Sequence, residues 1–298
     1  MFKNLLIIGF GLIGSSIVRG AQQAKLTQKF SVFDTDKSVK KRILSSDLKN
    51  VEHFSSLKIA IEKADLIIIC TPVLEYEKIF KSIDKYGKFG LIVTDVGSTK
   101  SNIVDLYNNK FKNKFSFVPS HPIAGTEKSG LENGFAKLFH NRYNIICPTN
   151  HKKTKDVLVI KKFWEGLGMQ VDILSAKEHD KILGLTSHLP HLIAYSLVRT
   201  AMKKEKTMKS NIIKYSAGGF RDFTRITENN PNMWRDTFIA NEKIINELSQ
   251  LFISEIKKFG LEIKQKKLSK LHSKLDQTRK VRRGIIKAKM AGKFIPND

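Results

Sequence analysis

Short apolar runs alternate with stretches of helical periodicity through the first 175 residues of the chain. An uninterrupted apolar run that ends in turn residues is typical of a strand buried on both faces of a parallel sheet. Strands that alternate with helices predict βαβ units. We predict helices at residues 15–24 and 157–167, and strands at residues 5–8, 30–33, 66–70, 91–95, 115–119, 143–147 and 171–174, with the last two closing the same sheet.

The pattern changes after about residue 175, where strand-like runs end and long amphipathic stretches follow. We predict helices at residues 179–205, 234–259 and 268–290, with Gly260 ending the second of them. The hydropathy pattern therefore predicts an α/β domain at residues 1–175, an all-α domain at residues 176–298 and no internal repeat. The second predicted helix carries one apolar stripe, formed by Ile244, Leu248, Leu251, Phe252 and Ile256.

A glycine-rich turn lies between the first predicted strand and the first predicted helix. In this pattern Gly9 allows a tight turn, Gly11 lets the backbone approach a pyrophosphate, and Gly14 lets the helix pack on the strand. Asp34 ends the second predicted strand, about 20 residues further on, where a carboxylate binds a ribose 2′-hydroxyl. We predict a Rossmann-like domain that binds NAD in preference to NADP, because a 2′-phosphate would meet a like charge. The predicted cofactor contacts are Gly9, Gly11, Leu12, Ile13, Gly14, Asp34 and Thr71.

Thr71, Ser98 and His121 each come just after a predicted strand. Ligands of open α/β sheets bind outside the carboxyl ends of the strands, so we expect these three side chains to meet around the nicotinamide. A histidine there can deprotonate a hydroxyl group while hydride leaves the carbon that bears this group. The ordinary pKa of histidine, near 6.5, suits that task. For His121, which stands in a turn-rich segment, a ring hydrogen-bonded to backbone is the structural alternative.

Two histidines, His188 and His191, stand on either side of a proline at the start of a predicted helix. Their spacing is compatible with metal binding, but the proline breaks the helix geometry and no third ligand is evident, so we predict no metal site. Two interpretations remain for this segment. It is either a helix start aimed at an anionic ligand or a buried polar pair at a domain interface.

Residues 217–225 combine glycines, aromatic residues and the arginines Arg221 and Arg225. This composition predicts a shaped loop that presents guanidinium groups, which form bidentate pairs with carboxylates. Trp234 starts the next predicted helix, where it either lines a pocket or packs in the core. The helical half therefore supplies candidate groups for an anionic ligand.

Composition limits the classes of protein that fit these patterns. The 298 residues suit about two domains, and 41% hydrophobic residues suffice for a sizeable core. No apolar run approaches the roughly 20 residues of a membrane helix, and the two cysteines have neither disulfide-framework nor metal spacing. We expect a cytoplasmic protein that spans no membrane. The net charge of +25 is spread along the chain, with no nucleic-acid signature. We interpret it as compositional drift toward lysine, and weak attraction of anionic substrates or polyanions is the alternative.

These segments together resemble the prephenate dehydrogenase family, which includes arogenate and cyclohexadienyl dehydrogenases of tyrosine biosynthesis. The resemblance implies an NAD-dependent oxidative decarboxylation, in which hydride leaves the carbon that bears the substrate 4-hydroxyl and the ring loses carbon dioxide. It also implies a homodimer that pairs through the helical domain. The resemblance covers nearly the whole chain and rests, in this order, on residues 9–14, 95–100, 121–130, 187–191, 219–225 and 233–236.

The same resemblance implies roles for individual residues. His121 would take the proton of the 4-hydroxyl, and Ser98 would help to hold that hydroxyl and His121. Arg225 would bind the side-chain carboxylate of the substrate, and His191 would lie near its ring carboxylate. The remaining implied substrate-site residues are Trp234, which lines the pocket, and Glu127, Arg221 and Asp222, which gate it.

Two alternatives from other classes remain open on the residues alone. One is a Rossmann dehydrogenase of the β-hydroxyacid type, which would use a lysine of the helical half as its acid and base. The other is a non-enzymatic nucleotide- or polyanion-binding module, favoured only by the net charge of +25. Prephenate and arogenate differ by a keto group against an amine, and both remain candidate substrates. We expect a monofunctional enzyme with neither a chorismate mutase domain before the glycine motif nor a regulatory domain after residue 260.

Overall fold

The computed structural model describes residues 2–112, 115–150, 153–209, 211 and 213–287. The chain divides into two compact units, residues 1–245 and residues 246–298. All candidate site residues named above lie in the first unit, so its architecture is described first.

A six-stranded parallel sheet forms the centre of the first unit. Its strands are β1 (Phe2–Ile8), β2 (Thr27–Phe33), β3 (Val51–His53), β4 (Leu66–Ile69), β5 (Ile92–Asp95) and β6 (Ser116–Val118), and they lie in the order β3-β2-β1-β4-β5-β6. This is the strand order of a dinucleotide-binding Rossmann fold, which confirms the predicted class. The helices that connect these strands are α1 (Leu12–Gln23), α2 (Val39–Leu44), α3 (Leu57–Lys63), α4 (Tyr76–Tyr86) and α5 (Ser101–Lys110).

The continuous apolar run of β1 is explained by burial on both faces of the sheet. Leu5 and Ile7 belong to one hydrophobic cluster and Leu6 and Ile8 to another. Because successive side chains of a strand point to opposite faces, each face of β1 packs under its own layer of helices. This two-sided burial is why the sequence pattern identified the strand so clearly.

The prediction that residues 143–147 and 171–174 close the same sheet is wrong. Strands β7 (Ser120–Pro122), β8 (Tyr143–Ile146) and β9 (Gln170–Ile173) form a separate three-stranded sheet, with β7 antiparallel to β8 and β8 parallel to β9. Pro119 separates β6 from β7, and proline has no N–H to donate to a strand ladder. Its carbonyl instead accepts the Cys147 N–H at 2.9 Å. His121 therefore lies on a strand rather than in a turn, and helix α6 (Thr154–Gly166) connects β8 to β9.

Helical structure runs through the segment that contains the two histidines and the proline. Helix α7 (Ala176–Leu183) passes into a π-helical turn, Gly184–His188, and then into α8 (Leu189–Met208). The expectation that Pro190 breaks the helix is therefore wrong, and α8 does not begin at a free helix start. Proline has no backbone N–H to donate, and the π turn, in which the Leu189 N–H donates to the Gly184 carbonyl, comes directly before Pro190.

The predicted helix at residues 234–259 is two helices, α10 (Pro231–Ala240) and α11 (Glu242–Lys264), and α9 (Gly218–Thr224) precedes them. Asn241 interrupts the run with φ −114° and ψ 29°. Gly260 does not end α11, which continues to Lys264 and is followed by Lys266 with φ +50°. A left-handed residue after a helix lets the next N–H reach back to its last carbonyls, and the Lys267 N–H accordingly donates to the Glu262 carbonyl at 3.0 Å.

The second unit contains α11 from Asn246 onward and helix α12 (Leu268–Lys287). Of the predicted helix at residues 268–290, the last three positions lie outside the described residues. Within this unit Glu262 pairs with Lys274 at 2.8 Å and with Lys270 at 3.5 Å.

Strands give way to helices between Ile173 and Ala176. The compact units divide elsewhere, so the domain boundary near residue 175 stays a prediction. Along the described part of the chain, we find no helix long and apolar enough to cross a membrane.

Candidate functional site

The glycine turn lies at the carboxyl end of β1, where two of its three glycines leave no space for a side chain. A Cβ on Gly9, whose φ is +93°, would lie 2.8 Å from the Cys70 carbonyl oxygen. A Cβ on Gly14 would lie 2.4 Å from the Gly9 oxygen and 2.9 Å from Ile7 Cγ2. At Gly11, by contrast, nothing lies within 4 Å of the Cβ position. The turn and the helix packing thus require glycine, and Gly11 leaves its backbone open to a ligand.

Asp34 ties this turn to the end of β2. Its Oδ2 accepts the Phe10 N–H at 2.6 Å, and its Oδ1 accepts the Asp36 N–H at 2.8 Å. Thr71 follows β4, and its Cγ2 lies 3.1 Å from the Gly9 Cβ position. Because β1 and β4 are the neighbours at which the strand order reverses, these residues border the crevice where such sheets bind ligands.

The arrangement fits a dinucleotide. Leu12 is buried and Ile13 packs against the core, so these two residues offer a ligand their backbone rather than their side chains. The first N–H groups of a helix lack partners within the helix, and together with the helix dipole they favour a pyrophosphate. The predicted contacts Gly9, Gly11, Leu12, Ile13, Gly14, Asp34 and Thr71 therefore lie together at one edge of the sheet.

His121 heads a chain of three polar side chains. Its Nδ1 lies 2.8 Å from Nε2 of His179, and Nδ1 of His179 lies 2.8 Å from Oδ1 of Asp180. Asp180 also accepts the backbone N–H groups of Lys100 at 2.8 Å and Ser101 at 2.7 Å, where α5 begins. The carboxylate thus fixes both a helix end and the second ring.

The direction of the hydrogen bonds along this chain follows from the chemistry of its end. An ionised Asp180 only accepts, so His179 carries its proton on Nδ1. Its Nε2 then accepts from Nδ1–H of His121, and Nε2 of His121 is left as an acceptor. The network assigns to His121 the tautomer that can take a proton from a hydroxyl group.

The protonation states agree with this assignment. Burial, followed by the charges of His179, Lys100 and His188, lowers the pKa of His121 well below its ordinary value. Burial also lowers the pKa of His179, against the opposing hydrogen bond to Asp180. Burial opposes the charge of Asp180, but its hydrogen bonds from His179 and Ser101 outweigh this and lower its pKa. At neutral pH both rings are neutral and the carboxylate is ionised.

A buried ion pair fixes the loop that carries Ser98. Asp95, at the end of β5, accepts Lys100 Nζ at 2.6 Å, the Tyr76 hydroxyl at 2.9 Å and the Gly97 N–H at 2.8 Å. The side chains of Asp95 and Lys100 are 0% exposed. Removing one partner of such a pair is strongly destabilising, so the pair ties the start of the loop, at Asp95, to its end, at Lys100. The backbone of Ser98 contacts the His188 ring, whereas His179, not Ser98, is the Nδ1 partner of His121.

A second group of predicted residues meets on the helical side. The rings of His191 and Trp234 stack with centroids 3.5 Å apart and planes 22° apart, and Trp234 is only 6% exposed. Arg225 donates to Glu127 at 3.2 Å. Burial lowers the pKa of His191, and the positive charge of Arg225 lowers it further. These contacts bring His191, Trp234, Arg225 and Glu127 together.

Two other predicted residues do not join that group. His188 is buried, its Nδ1 accepts from the Asn241 amide at 3.1 Å, and burial lowers its pKa to about 4. This is the buried polar interpretation of that histidine. Arg221 lies exposed on α9, and the contacts of the described residues do not link it to Glu127 or Arg225. The described residues contain no cluster of His, Cys, Asp and Glu arranged to hold a metal ion.

Sequence reasoning missed His179, Asp180 and Asn241. His179 and Asp180 are adjacent in the chain and lie on a short helix, which is a weak signal for a polar pair. The contact between His121 and His179 spans 58 positions, and nothing in the local pattern predicts it. Asn241 donates to the Asp180 carbonyl at 3.1 Å. The helix break at this residue was not predicted from the sequence pattern either.

Comparisons with known proteins cover most of the chain. The model for the nucleotide-binding domain of prephenate dehydrogenase matches residues 21–173, and the model for the dimerization domain of prephenate dehydrogenase matches residues 175–277. The cyclohexadienyl dehydrogenase of Zymomonas mobilis is 35% identical over 87% of this chain and 87% of its own. The prephenate dehydrogenase of Lactococcus lactis is 33% identical over 95% of this chain and 77% of its own.

A solved structure agrees with the sequence relatives. The crystal structure of prephenate dehydrogenase from A. aeolicus, in complex with hydroxyphenyl propionate and NAD+, superposes with a TM-score of 0.87 at 31% identity. The match covers 96% of this chain and 99% of that one. From the Rossmann strand order, the helical half and these matches together, we conclude that the chain belongs to the prephenate dehydrogenase family.

Proposed function

We propose that this protein catalyses the NAD-dependent oxidative decarboxylation of prephenate, of arogenate, or of both. The observation that carries the proposal is the chain from His121 through His179 to Asp180, which lies at the carboxyl side of the dinucleotide-binding sheet. Such a chain presents a neutral imidazole nitrogen to a substrate hydroxyl. Membership of the prephenate dehydrogenase family supports the same reaction.

In the proposed reaction, His121 Nε2 accepts the proton of the substrate 4-hydroxyl as the carbon that bears this hydroxyl becomes carbonyl-like. Bound NAD supplies the acceptor for the hydride that leaves this carbon. The His121 ring then carries a positive charge, which the ionised Asp180 stabilises through His179. Burial and the neighbouring Lys100 keep the ring neutral before the reaction begins, because they lower its pKa.

Substrate binding is assigned to the helical side of the site. Arg225 would bind the side-chain carboxylate, and His191, held flat against Trp234, would lie near the ring carboxylate. Arg225 now pairs with Glu127, so a substrate carboxylate would replace Glu127 and this exchange would gate the site. Ser98 would help to hold the substrate hydroxyl, and Arg221 would act at the entrance from its exposed position on α9.

We also propose that NAD is preferred to NADP. Asp34 holds its carboxylate at the end of β2, beside the glycine turn. This carboxylate can accept hydrogen bonds from ribose hydroxyls, whereas it would repel a 2′-phosphate. The proposed cofactor contacts are the seven residues at the β1–β4 edge that were described above.

A homodimer through the helical segment is the proposed assembly. The family model that matches residues 175–277 describes a dimerization domain. Apolar side chains that this chain leaves uncovered support it, since large exposed apolar surfaces mark interaction sites. On α8 and α11 these are Leu197, Met202, Met208, Leu251, Ile253, Ile256, Leu261 and Ile263, and Leu185 is exposed in the π-helical turn before α8.

The direct test is NADH formation by the purified chain with prephenate or arogenate, run with NAD and with NADP. The proposal predicts turnover with at least one substrate, and faster with NAD. A protein that binds NAD but turns over neither substrate would contradict the proposed reaction. It would favour a β-hydroxyacid-type dehydrogenase or a non-enzymatic module.

A further inference from the structure

Arg42, on α2, is held by a carboxylate from a distant part of the chain. Its Nη2 lies 2.7 Å from Oε2 of Glu132 and its Nε lies 2.5 Å from Oε1, so the pair is bidentate. Such charge-assisted forks are strong and geometrically specific. The hydrogen bond to Glu132 also raises the pKa of Arg42. The pair is partly exposed, with Arg42 at 32% and Glu132 at 56%, so it is the bidentate geometry that gives the guanidinium a preferred direction and partner.

The pair stands beside the residues proposed to bind the ribose. Nη1 of Arg42 lies 3.4 Å from Oδ2 of Asp36. The Asp36 N–H in turn donates to Asp34 at 2.8 Å. Arg42 is thus two contacts away from the carboxylate that is proposed to select the 2′-hydroxyl, and the charge of Asp34 reaches the guanidinium.

Glu132 is positioned by a turn that is packed onto the helix of the glycine motif. The turn, Leu131–Asn133, is flanked by two glycines, and Leu131 is buried in the core. A Cβ on Gly134 would lie 2.1 Å from the Ser15 hydroxyl on α1. A Cβ on Gly130 would lie 2.6 Å from Glu132 Oε2 and 3.2 Å from Arg42 Nη2. Both glycines therefore leave room for the contacts that bring Glu132 to Arg42.

Enzymes of this fold that use NADP commonly place an arginine near the 2′-phosphate. Here Arg42 stands two contacts from Asp34, but the carboxylate of Glu132 holds its guanidinium. We propose that Glu132 is a cofactor-specificity residue, which holds Arg42 in a bidentate pair and so keeps its guanidinium from a 2′-phosphate. The inference rests on the proposed dinucleotide binding. Glu132 would thus be a second residue, besides Asp34, that disfavours NADP binding, because it pairs with the positive charge that a 2′-phosphate would need.

The test is the dissociation constants of NAD+ and NADP+ for the full chain, measured by calorimetry without substrate. Glu132→Gln keeps the size of the side chain and removes its charge. We expect NADP+ to bind about tenfold more tightly to this variant, as a freed charge-assisted pair implies, and NAD+ binding to change less than about twofold. Adding Arg42→Gln should abolish the gain. Glu62→Gln, an exposed acid on α3 that pairs with Lys58, is the control for a general change of charge.

Each outcome decides the matter. An unchanged ratio of the two constants in Glu132→Gln overturns the inference, and so does a gain that survives Arg42→Gln or appears equally in Glu62→Gln. If the wild-type chain bound neither dinucleotide, the proposed function would fail and this inference with it. If wild type binds NAD+ normally and Glu132→Gln leaves the ratio of the two dissociation constants unchanged, this inference alone is contradicted and the proposed function stands.

Discussion

Asp180 sets the tautomer of His121 through His179. Its carboxylate only accepts hydrogen bonds, and this fixes the tautomers of His179 and then of His121. The same carboxylate holds the first N–H groups of α5. A single residue thus links the position of a helix to the basicity of a ring nitrogen.

We expect Asp180→Asn to lower kcat by about 10²–10⁴-fold, as for the loss of an orienting carboxylate or a general base. An amide can donate to Nδ1 of His179, which reverses the hydrogen bonds and leaves Nε2 of His121 protonated. Steady-state kinetics with a measured Tm and NAD+ dissociation constant separate this effect from unfolding. Asp105→Asn, an exposed acid on α5, is the matched control. Full kcat in folded Asp180→Asn would refute the tautomer assignment.

Individual residues of the site were predictable to different degrees. His121, Arg225 and Trp234 stood out because each lies in a segment with an unusual composition. The partners His179 and Asn241 did not, since each reaches the cluster through contacts that span more than 50 positions. The local sequence pattern indicates which residue is a candidate for catalysis or binding. It does not indicate which residues contact it, because those contacts depend on the tertiary fold.

At the scale of elements, the glycine turn separates folding from ligand binding. Gly14 has no room for a Cβ, whereas Gly11 has nothing within 4 Å of that position. We expect Gly14→Ala to destabilise the fold by about 1–3 kcal/mol, as overpacking does, and to lower Tm by several degrees. Gly11→Ala should leave Tm within about 2 °C but weaken NAD+ about tenfold or more, because it fills space that the pyrophosphate needs.

Thermal unfolding and calorimetry on the two variants check this contrast. A Gly11→Ala protein that binds NAD+ as tightly as wild type would remove the turn from the cofactor site. A Gly14→Ala protein with unchanged Tm would show that the packing of α1 on β1 has slack that the structure does not suggest.

The elements themselves were predicted where burial is simple. β1, β2, β4 and β5 follow from apolar runs because both faces of the sheet are covered. The second sheet was missed because a one-residue bend at Pro119 redirects the chain, and β7 is too short to show a pattern. The break at Asn241 was not predicted, and the side chain of this residue is hydrogen-bonded to a different helix, through the Asp180 carbonyl.

At the scale of the whole molecule, the helices expose apolar residues, as is typical of an interaction surface. Leu251 and Ile256 belong to the predicted stripe, yet they are 59% and 54% exposed in the isolated chain. We expect a second copy to cover them, so light scattering should give about twice the 33.9 kDa of one chain. Ile256→Glu should shift the mass toward one chain, and a monomer at micromolar wild-type protein would contradict the proposed dimer.

The net charge of +25 acts at the same scale. We expect it to attract anionic substrates at low salt, with a reach that screening limits to about 10 Å at 0.1 M ionic strength. We therefore expect recognition of the proposed substrate to depend on groups inside the site, above all Arg225, and not on the general field.

The central claim is that His121 acts as the proton acceptor of an NAD-dependent dehydrogenase. The measurement that tests it most directly is kcat for NADH formation by wild type and His121→Asn, with NAD+ affinity measured in parallel. We predict that the variant loses about 10²–10⁴-fold in kcat and binds NAD+ within about twofold of wild type, because His121 is not among the proposed cofactor contacts. A variant that keeps full turnover would contradict the account.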